Sequence, residues 1–203
     1  MEIITVRHGK TAFTEKDVFE ECFNKNPLTK EGVRYSKELG AFLKDYGITA
    51  IFSSPLARAM ETAKHISSIT KLPVQTEQLL TEICYGSWEG KTKSRLKGTR
   101  EWKDREADKY NYTHPGKNPE GKPGESYSDA EKRIRALLKK LNKESGKIAL
   151  VCHIGIVRVA RRIIENITEK EAADFWLSPD EIYIVKMNGE TKAGIVKFRQ
   201  SSI

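Results

Sequence analysis

The chain has 203 residues, of which 38% are hydrophobic and 32% charged, and it carries a net charge of +8 at neutral pH. This is an ordinary globular composition, long enough for one packed domain. No stretch approaches the ~18 consecutive apolar residues of a membrane span and no signal peptide opens the chain, so no membrane partner and a cytoplasmic protein are expected. The positive charge permits a nucleic acid, an anionic lipid or a phosphorylated substrate as partner and selects none of them. Three widely spaced cysteines, Cys22, Cys84 and Cys152, lack metal-ligand spacing and are expected as reduced thiols.

Residues 3–6 form an apolar run of the kind buried on both faces in parallel sheets, and it stops in Arg7-His8-Gly9. Residues 10–27 show weak periodicity and are expected as an irregular loop over that strand end. Thr29 opens a helix with Tyr35, Leu39, Phe42, Leu43 and Tyr46 on one face, ended by Gly47. Residues 50–53 read as a second strand, followed by Ser54-Pro55-Leu56-Ala57-Arg58 and a helix carrying Ala59, Ala63 and Ile66, with Pro55 placed for its start. Residues 73–76 make a short third strand.

The character changes over residues 91–127. The first half is charged and partly helical around residues 99–110, whereas residues 114–124 are rich in Pro, Gly and Lys and read as loop. This segment is the candidate insertion or lid. Ser128 to Glu131 fits a capping box, opening a helix with Ile134, Leu137, Leu138 and Leu141 on its buried side. Residues 148–152 form another apolar strand ending in His153, followed by a helix over residues 155–164. A second capping box from Thr168 to Glu171 opens a short helix carrying Phe175 and Trp176. Residues 182–185 and 194–198 finish as a hairpin turning near Asn188-Gly189, whose edge could pair with a second copy in a homodimer. Helices alternating with apolar strands predict a three-layer α/β domain over residues 1–203.

Three strands end in reactive or cationic groups: Arg7 and His8, then Arg58 shortly after Ser53, then His153. If the strands are parallel, these side chains meet at the carboxyl edge of the sheet, where ligands bind. Arg58 in the first turn of a helix opposes the helix dipole, and a bound anion reverses that cost. Two arginines and two histidines around one point read as a phosphate pocket, in which a neutral histidine can attack phosphorus while arginines spread the charge. Glu82 is the best-placed acid, by order along the chain, to protonate a leaving oxygen.

Arg7-His8-Gly9 after an N-terminal strand, the run Ser53-Ser54-Pro55-Leu56-Ala57-Arg58-Ala59, Glu82 before Tyr85-Gly86-Ser87-Trp88-Glu89-Gly90, Gly124-Glu125-Ser126, and His153 after Leu150-Val151-Cys152 together resemble the histidine phosphatase superfamily. That family includes cofactor-dependent phosphoglycerate mutases and many small phosphatases. The resemblance implies a phosphoglycerate mutase-like α/β/α sandwich with a mostly parallel central sheet. It implies that His8 is the phosphorylated nucleophile, that Arg7 and Arg58 bind phosphate, that His153 contacts phosphoryl oxygens, and that Glu82 is the general acid and later the base. Thr14, Tyr85 and Ile154 join Arg7, Arg58 and His153 as implied substrate-binding positions, and no metal or cofactor is implied. Two positions depart from the family pattern. Thr14 stands where an asparagine is common, and Ile154 replaces the first of two glycines after the second histidine.

Other residues admit plainer readings. His65 is expected to face solvent, and His114 either lines a substrate mouth or belongs to its loop. Cys152 is expected in the core, because adjacent strand residues point to opposite faces. The basic run from Lys91 to Lys109 is interleaved with acidic residues, the pattern of a solvated helix face, and overhanging the pocket it would attract acidic substrates. It holds too few aromatics for nucleic-acid stacking, so no nucleic-acid partner is expected. The expected function is a metal-independent phosphatase of a small phosphorylated metabolite. A phosphoglycerate mutase is the alternative within the family, and a non-catalytic phospho-ligand or nucleic-acid binding module is the alternative outside it.

Overall fold

The computed structural model of the protein describes residues 1–20, 26–188 and 190–199. In chain order the elements are β1 (Glu2–Arg7), α1 (Ala12–Glu15), α2 (Lys30–Tyr46), β2 (Ala50–Ser53), α3 (Ala57–Thr70) and β3 (Val74–Thr76). Two 3-10 turns, Gln78–Leu80 and Gly86–Trp88, lead to α4 (Lys93–Leu96), α5 (Arg100–Ala107) and α6 (Tyr127–Leu141). The chain continues through β4 (Lys147–Cys152), α7 (Ile154–Glu165), α8 (Glu169–Asp174), β5 (Glu181–Asn188) and β6 (Glu190–Lys197).

The period of two along each strand builds the layers. Ile4 and Val6 of β1, Ile51 of β2, Ala149 and Val151 of β4, and Ile182 and Ile184 of β5 share one core with Tyr35, Leu39 and Leu43 of α2 and Ala59, Ala63 and Ile66 of α3. Their neighbours Ile3, Phe52, Ile148, Leu150, Cys152, Tyr183 and Val185 face the opposite core, with Ile134, Leu137 and Leu141 of α6 and Val157 and Val159 of α7. A sheet covered by helices on both faces is the expected α/β/α sandwich. Each Leu or Ile fully buried in this way contributes about 2 kcal/mol.

The strand order is β3-β2-β4-β1-β5-β6. β1, β2, β3 and β4 run parallel, β5 runs antiparallel to β1, and β6 runs antiparallel to β5. Arg7 pairs with Cys152, and Ser53 pairs with Val151. The next residues, His8, Ser54 and His153, therefore emerge side by side at one carboxyl edge. Backbone bonds from His8 N to the Cys152 carbonyl and from Ser54 N to the Val151 carbonyl, each 3.0 Å long, extend the ladder to that edge.

The structure moves several expected boundaries. Residues 10–27 are not wholly irregular, because Thr11 and Thr14 form a capping box around α1. The helix after β2 begins at Ala57 and not at Pro55. The box that opens α6 is Ser126 with Asp129, two residues earlier than Ser128 with Glu131. Tyr127 is 2% exposed and its hydroxyl accepts from Arg158 at 2.6 Å, a tertiary contact that draws the helix start back. Glu131 instead accepts from the Tyr110 hydroxyl at 2.8 Å. The box at Thr168 and Glu171 forms as expected, but Phe175 caps α8 and Trp176 lies beyond it.

The final hairpin is longer than expected, and its turn at Gly189 lies outside the described residues. Cys84 and Cys152 are buried, and Cys22 lies outside the described residues. Among the described residues no helix is long and apolar enough to cross a membrane.

Candidate active site

The end of β1 delivers His8 into a cavity of about 610 Å³, lined also by Arg7, Thr14, Arg58, Glu82, Tyr85 and Ile154. Gly9 lets the chain turn there, since a Cβ on it would meet the Gly32 carbonyl oxygen at 2.6 Å. The Gly9 amide donates to the Thr62 hydroxyl at 2.9 Å, and that hydroxyl donates to the Arg58 carbonyl at 2.8 Å. One threonine on α3 thus ties the His8 loop to the helix turn that carries Arg58.

His8 is 6% exposed, and its Nδ1 lies 2.8 Å from the Gly9 carbonyl oxygen. A carbonyl only accepts, so Nδ1 carries the ring proton and Nε2 presents its lone pair. Arg58 Nε donates to that Nε2 at 3.2 Å. Burial, then the Arg58 and Arg7 charges, push the His8 pKa well below the usual histidine range. The ring is neutral, as a nitrogen nucleophile must be.

Arg7 is half-buried on the cavity wall, and its buried Nε has no hydrogen-bond partner among the described residues. Its guanidinium lies 4.9 Å from the centre of the Trp176 ring. Arg58, 1% exposed, occupies the first turn of α3 as expected. A buried guanidinium in the first turn of a helix favours an anion beside it.

His153 is fully buried beside His8, with ring centres 5.1 Å apart. Its Nε2 is 2.8 Å from the Ser54 hydroxyl, while its Nδ1 has no hydrogen-bond partner among the described residues. The Leu56 amide donates to the same Ser54 oxygen at 3.3 Å. With the Ser54 proton given to Nε2, Nδ1 is the protonated nitrogen available to a ligand oxygen.

Glu82 sits on the cavity wall and is 5% exposed. Its Oε1 accepts from Ile83 N at 3.0 Å and its Oε2 from Gly155 N at 3.3 Å, at the start of α7. Burial raises its pKa above the ordinary 4.5, against the lowering effect of those amides and of Arg58 and Arg133. A carboxyl on the same cavity wall that holds its proton more firmly than usual is suited to general acid work.

The two departures from the family pattern have defined places. Thr14 does not reach out alone: its hydroxyl lies 3.1 Å from that of Thr11 and donates to Glu20 at 3.5 Å. Ile154 walls the cavity, while the retained Gly155 supplies the amide that holds Glu82.

His114 is not at the cavity mouth. It is 4% exposed, holds the Glu125 carbonyl through Nδ1 at 2.8 Å, and meets the Tyr85 and Trp88 rings edge-on at 5.0 and 5.2 Å. His65 is half-buried, less exposed than expected. The basic run divides. Lys93, Lys97, Arg105 and Lys109 line the cavity with Trp102, while Arg100 pairs along the helix surface with Asp104.

Sequence reasoning missed Ser54 as the partner of His153, although it stands directly after β2. It also missed Glu20, which is 3.6 Å from His8 Nε2 and 3.5 Å from Arg58 Nε. No periodicity or motif marks Glu20. Among the described residues no group of three or more potential ligands is arranged to hold a metal ion.

The family model of the histidine phosphatase superfamily (branch 1) matches residues 3–198. The chain belongs to that superfamily. It is 34% identical over 88 residues to a 2,3-bisphosphoglycerate-dependent phosphoglycerate mutase of Thermoplasma acidophilum, covering 43% of this chain and 44% of that one. It is 31% identical over 139 residues to GpmB of Yersinia enterocolitica, named a probable phosphoglycerate mutase, covering 68% of this chain and 61% of the relative. The matches thus span less than two thirds of either curated relative. A crystal structure of phosphoserine phosphatase from Entamoeba histolytica with 3-phosphoglyceric acid superposes with a TM-score of 0.80 at 22% identity, covering 99% of this chain and 98% of that one. At that identity the likeness speaks for the fold.

Proposed function

We propose that this histidine phosphatase family member hydrolyses a small phosphomonoester through a phosphohistidine on His8. The observation that carries the reading is the arrangement at Nε2: Nδ1 bound to the Gly9 carbonyl at 2.8 Å, and Nε2 facing Arg58 at 3.2 Å. In the first step the Nε2 lone pair attacks phosphorus, the bond to the leaving oxygen breaks, and the Glu82 proton passes to that oxygen. In the second step Glu82, now a carboxylate, takes a proton from water. The resulting oxygen attacks phosphorus, the P–N bond breaks, and inorganic phosphate leaves with neutral His8 restored. Arg7, Arg58 and His153 Nδ1–H stabilise the charge on the phosphoryl oxygens. Thr14, Tyr85 and Ile154 shape the substrate side of the cavity, and residues 91–127 act as its lid, presenting Lys93, Lys97 and Arg105 to an anionic substrate.

The test is release of p-nitrophenol from its phosphate ester in EDTA. Activity is expected to survive chelation and to vanish in His8→Ala, and either opposite result contradicts the reading. Similarity to two mutases favours one further possibility, return of the phosphoryl group to a second oxygen of the substrate. Incubation with 3-phosphoglycerate plus 2,3-bisphosphoglycerate separates the two, because isomerisation without phosphate release identifies a mutase.

A further inference from the structure

Glu20 faces the nucleophile and has no part in the two-step transfer. Its side chain is 10% exposed, and its Oε2 lies 3.6 Å from His8 Nε2 and 3.5 Å from Arg58 Nε. The Thr11 hydroxyl donates to its other oxygen, the Asn26 amide does so at 3.3 Å, and the Thr14 hydroxyl reaches Oε2 at 3.5 Å. A phosphoryl group poised for attack needs phosphorus about 3–3.5 Å from Nε2. It also needs an oxygen close to the Arg58 guanidinium. The carboxylate already stands at those two places. Two anions cannot share them without strong mutual repulsion, and a buried arginine without any anion is itself unfavourable.

We propose that Glu20 is an internal competitor for the phosphate site, resting on His8 and Arg58 until the substrate's phosphoryl group displaces it and returning as inorganic phosphate departs. The proposal rests on the phosphatase reading of His8 and Arg58 and adds a residue that tunes affinity without taking part in bond making. Because substrate and product meet the same carboxylate, its charge weakens both alike. It therefore raises KM and the inhibition constant of phosphate together while sparing kcat. A proton carrier at the same place would act on kcat instead.

The experiment is steady-state hydrolysis of p-nitrophenyl phosphate, with inorganic phosphate as inhibitor, by wild type, Glu20→Gln and Glu20→Ala. Gln keeps the shape and the hydrogen bonds to Thr11 and Asn26 without the charge, and Ala removes the group. In Glu20→Gln, KM and the phosphate inhibition constant are expected to fall about tenfold or more, with kcat changed by less than about threefold. Phosphate binding unchanged or weakened in both variants, or a large loss of kcat in Glu20→Gln, overturns the proposal. Wild type that neither hydrolyses the ester nor is inhibited by phosphate overturns the phosphatase reading and this inference with it. An active, phosphate-inhibited wild type with no tightening in the variants overturns this inference alone.

Discussion

The Glu82 carboxylate is held against the bare backbone of Gly155. The Gly155 amide donates to Oε2 at 3.3 Å, and a Cβ at position 155 would overlap Oε1. The second glycine position after the second histidine therefore has a steric reason: it makes room for the acid. Ile154, one residue earlier, can carry a side chain because it points to the cavity wall.

Gly155→Ala is accordingly expected to misplace Glu82 while leaving α7 intact, since alanine favours a helix by up to about 1 kcal/mol over glycine. A displacement on the order of 1 Å costs about a hundredfold in rate. Hydrolysis of alkyl phosphates should fall by roughly that factor, with helicity by circular dichroism unchanged. Wild-type kcat in a folded variant would show that Glu82 does not need this seat.

Glu82→Gln tests the acid itself. Loss of a general acid costs about 10²–10⁴ in rate. In kcat/KM, which reports formation of the phosphohistidine, it should do so for alkyl phosphates, whose leaving oxygen needs a proton, and far less for p-nitrophenyl phosphate, whereas kcat also carries loss of the base in the second step. Burial raises the Glu82 pKa above 4.5, so its proton is retained to higher pH than in an ordinary glutamate and the rate falls as pH rises past that raised value. This basic limb should be absent from the pH profile of Glu82→Gln. Equal slowing of good and poor leaving groups in kcat/KM would assign the proton to another residue.

His114 contributes to stability and not to catalysis. Burial lowers its pKa from 6.5 to about 4, so between those values the unfolded chain binds the extra proton and the folded chain does not. Stability contributed by the neutral ring is complete above pH 6.5 and is lost as pH falls toward 4, by at most about 3 kcal/mol. His114→Phe keeps the ring among Tyr85, Trp88 and Tyr112 and removes this titration. Chemical denaturation from pH 7 to 4 should give a shallower loss of stability in the variant, and an unchanged slope would contradict the burial argument.

Much of the site was legible because strand ends are legible. Arg7, His8 and His153 close strongly apolar runs, Arg58 opens a helix, and the parallel register then brings them together. What escaped depended on tertiary contacts. Ser126 and Ser128 both fit a capping pattern, and only the buried Tyr127 chooses between them. His114 sits in a Pro- and Gly-rich stretch that reads as loop, yet aromatic rings from two other segments, Phe19 and the turn carrying Tyr85 and Trp88, enclose it. Glu20 comes from a segment without periodicity, and its meaning lies entirely in its two distances to His8 and Arg58.

The central claim is that His8 Nε2 forms a bond to phosphorus. Mixing the protein with labelled phosphomonoester, quenching in alkali within milliseconds and mapping the label tests it most directly. The account predicts alkali-stable, acid-labile phosphate on His8, absent in His8→Ala and longer-lived in Glu82→Gln, which cannot activate water. Label on Cys152 or a serine, or full turnover by His8→Ala, would contradict it.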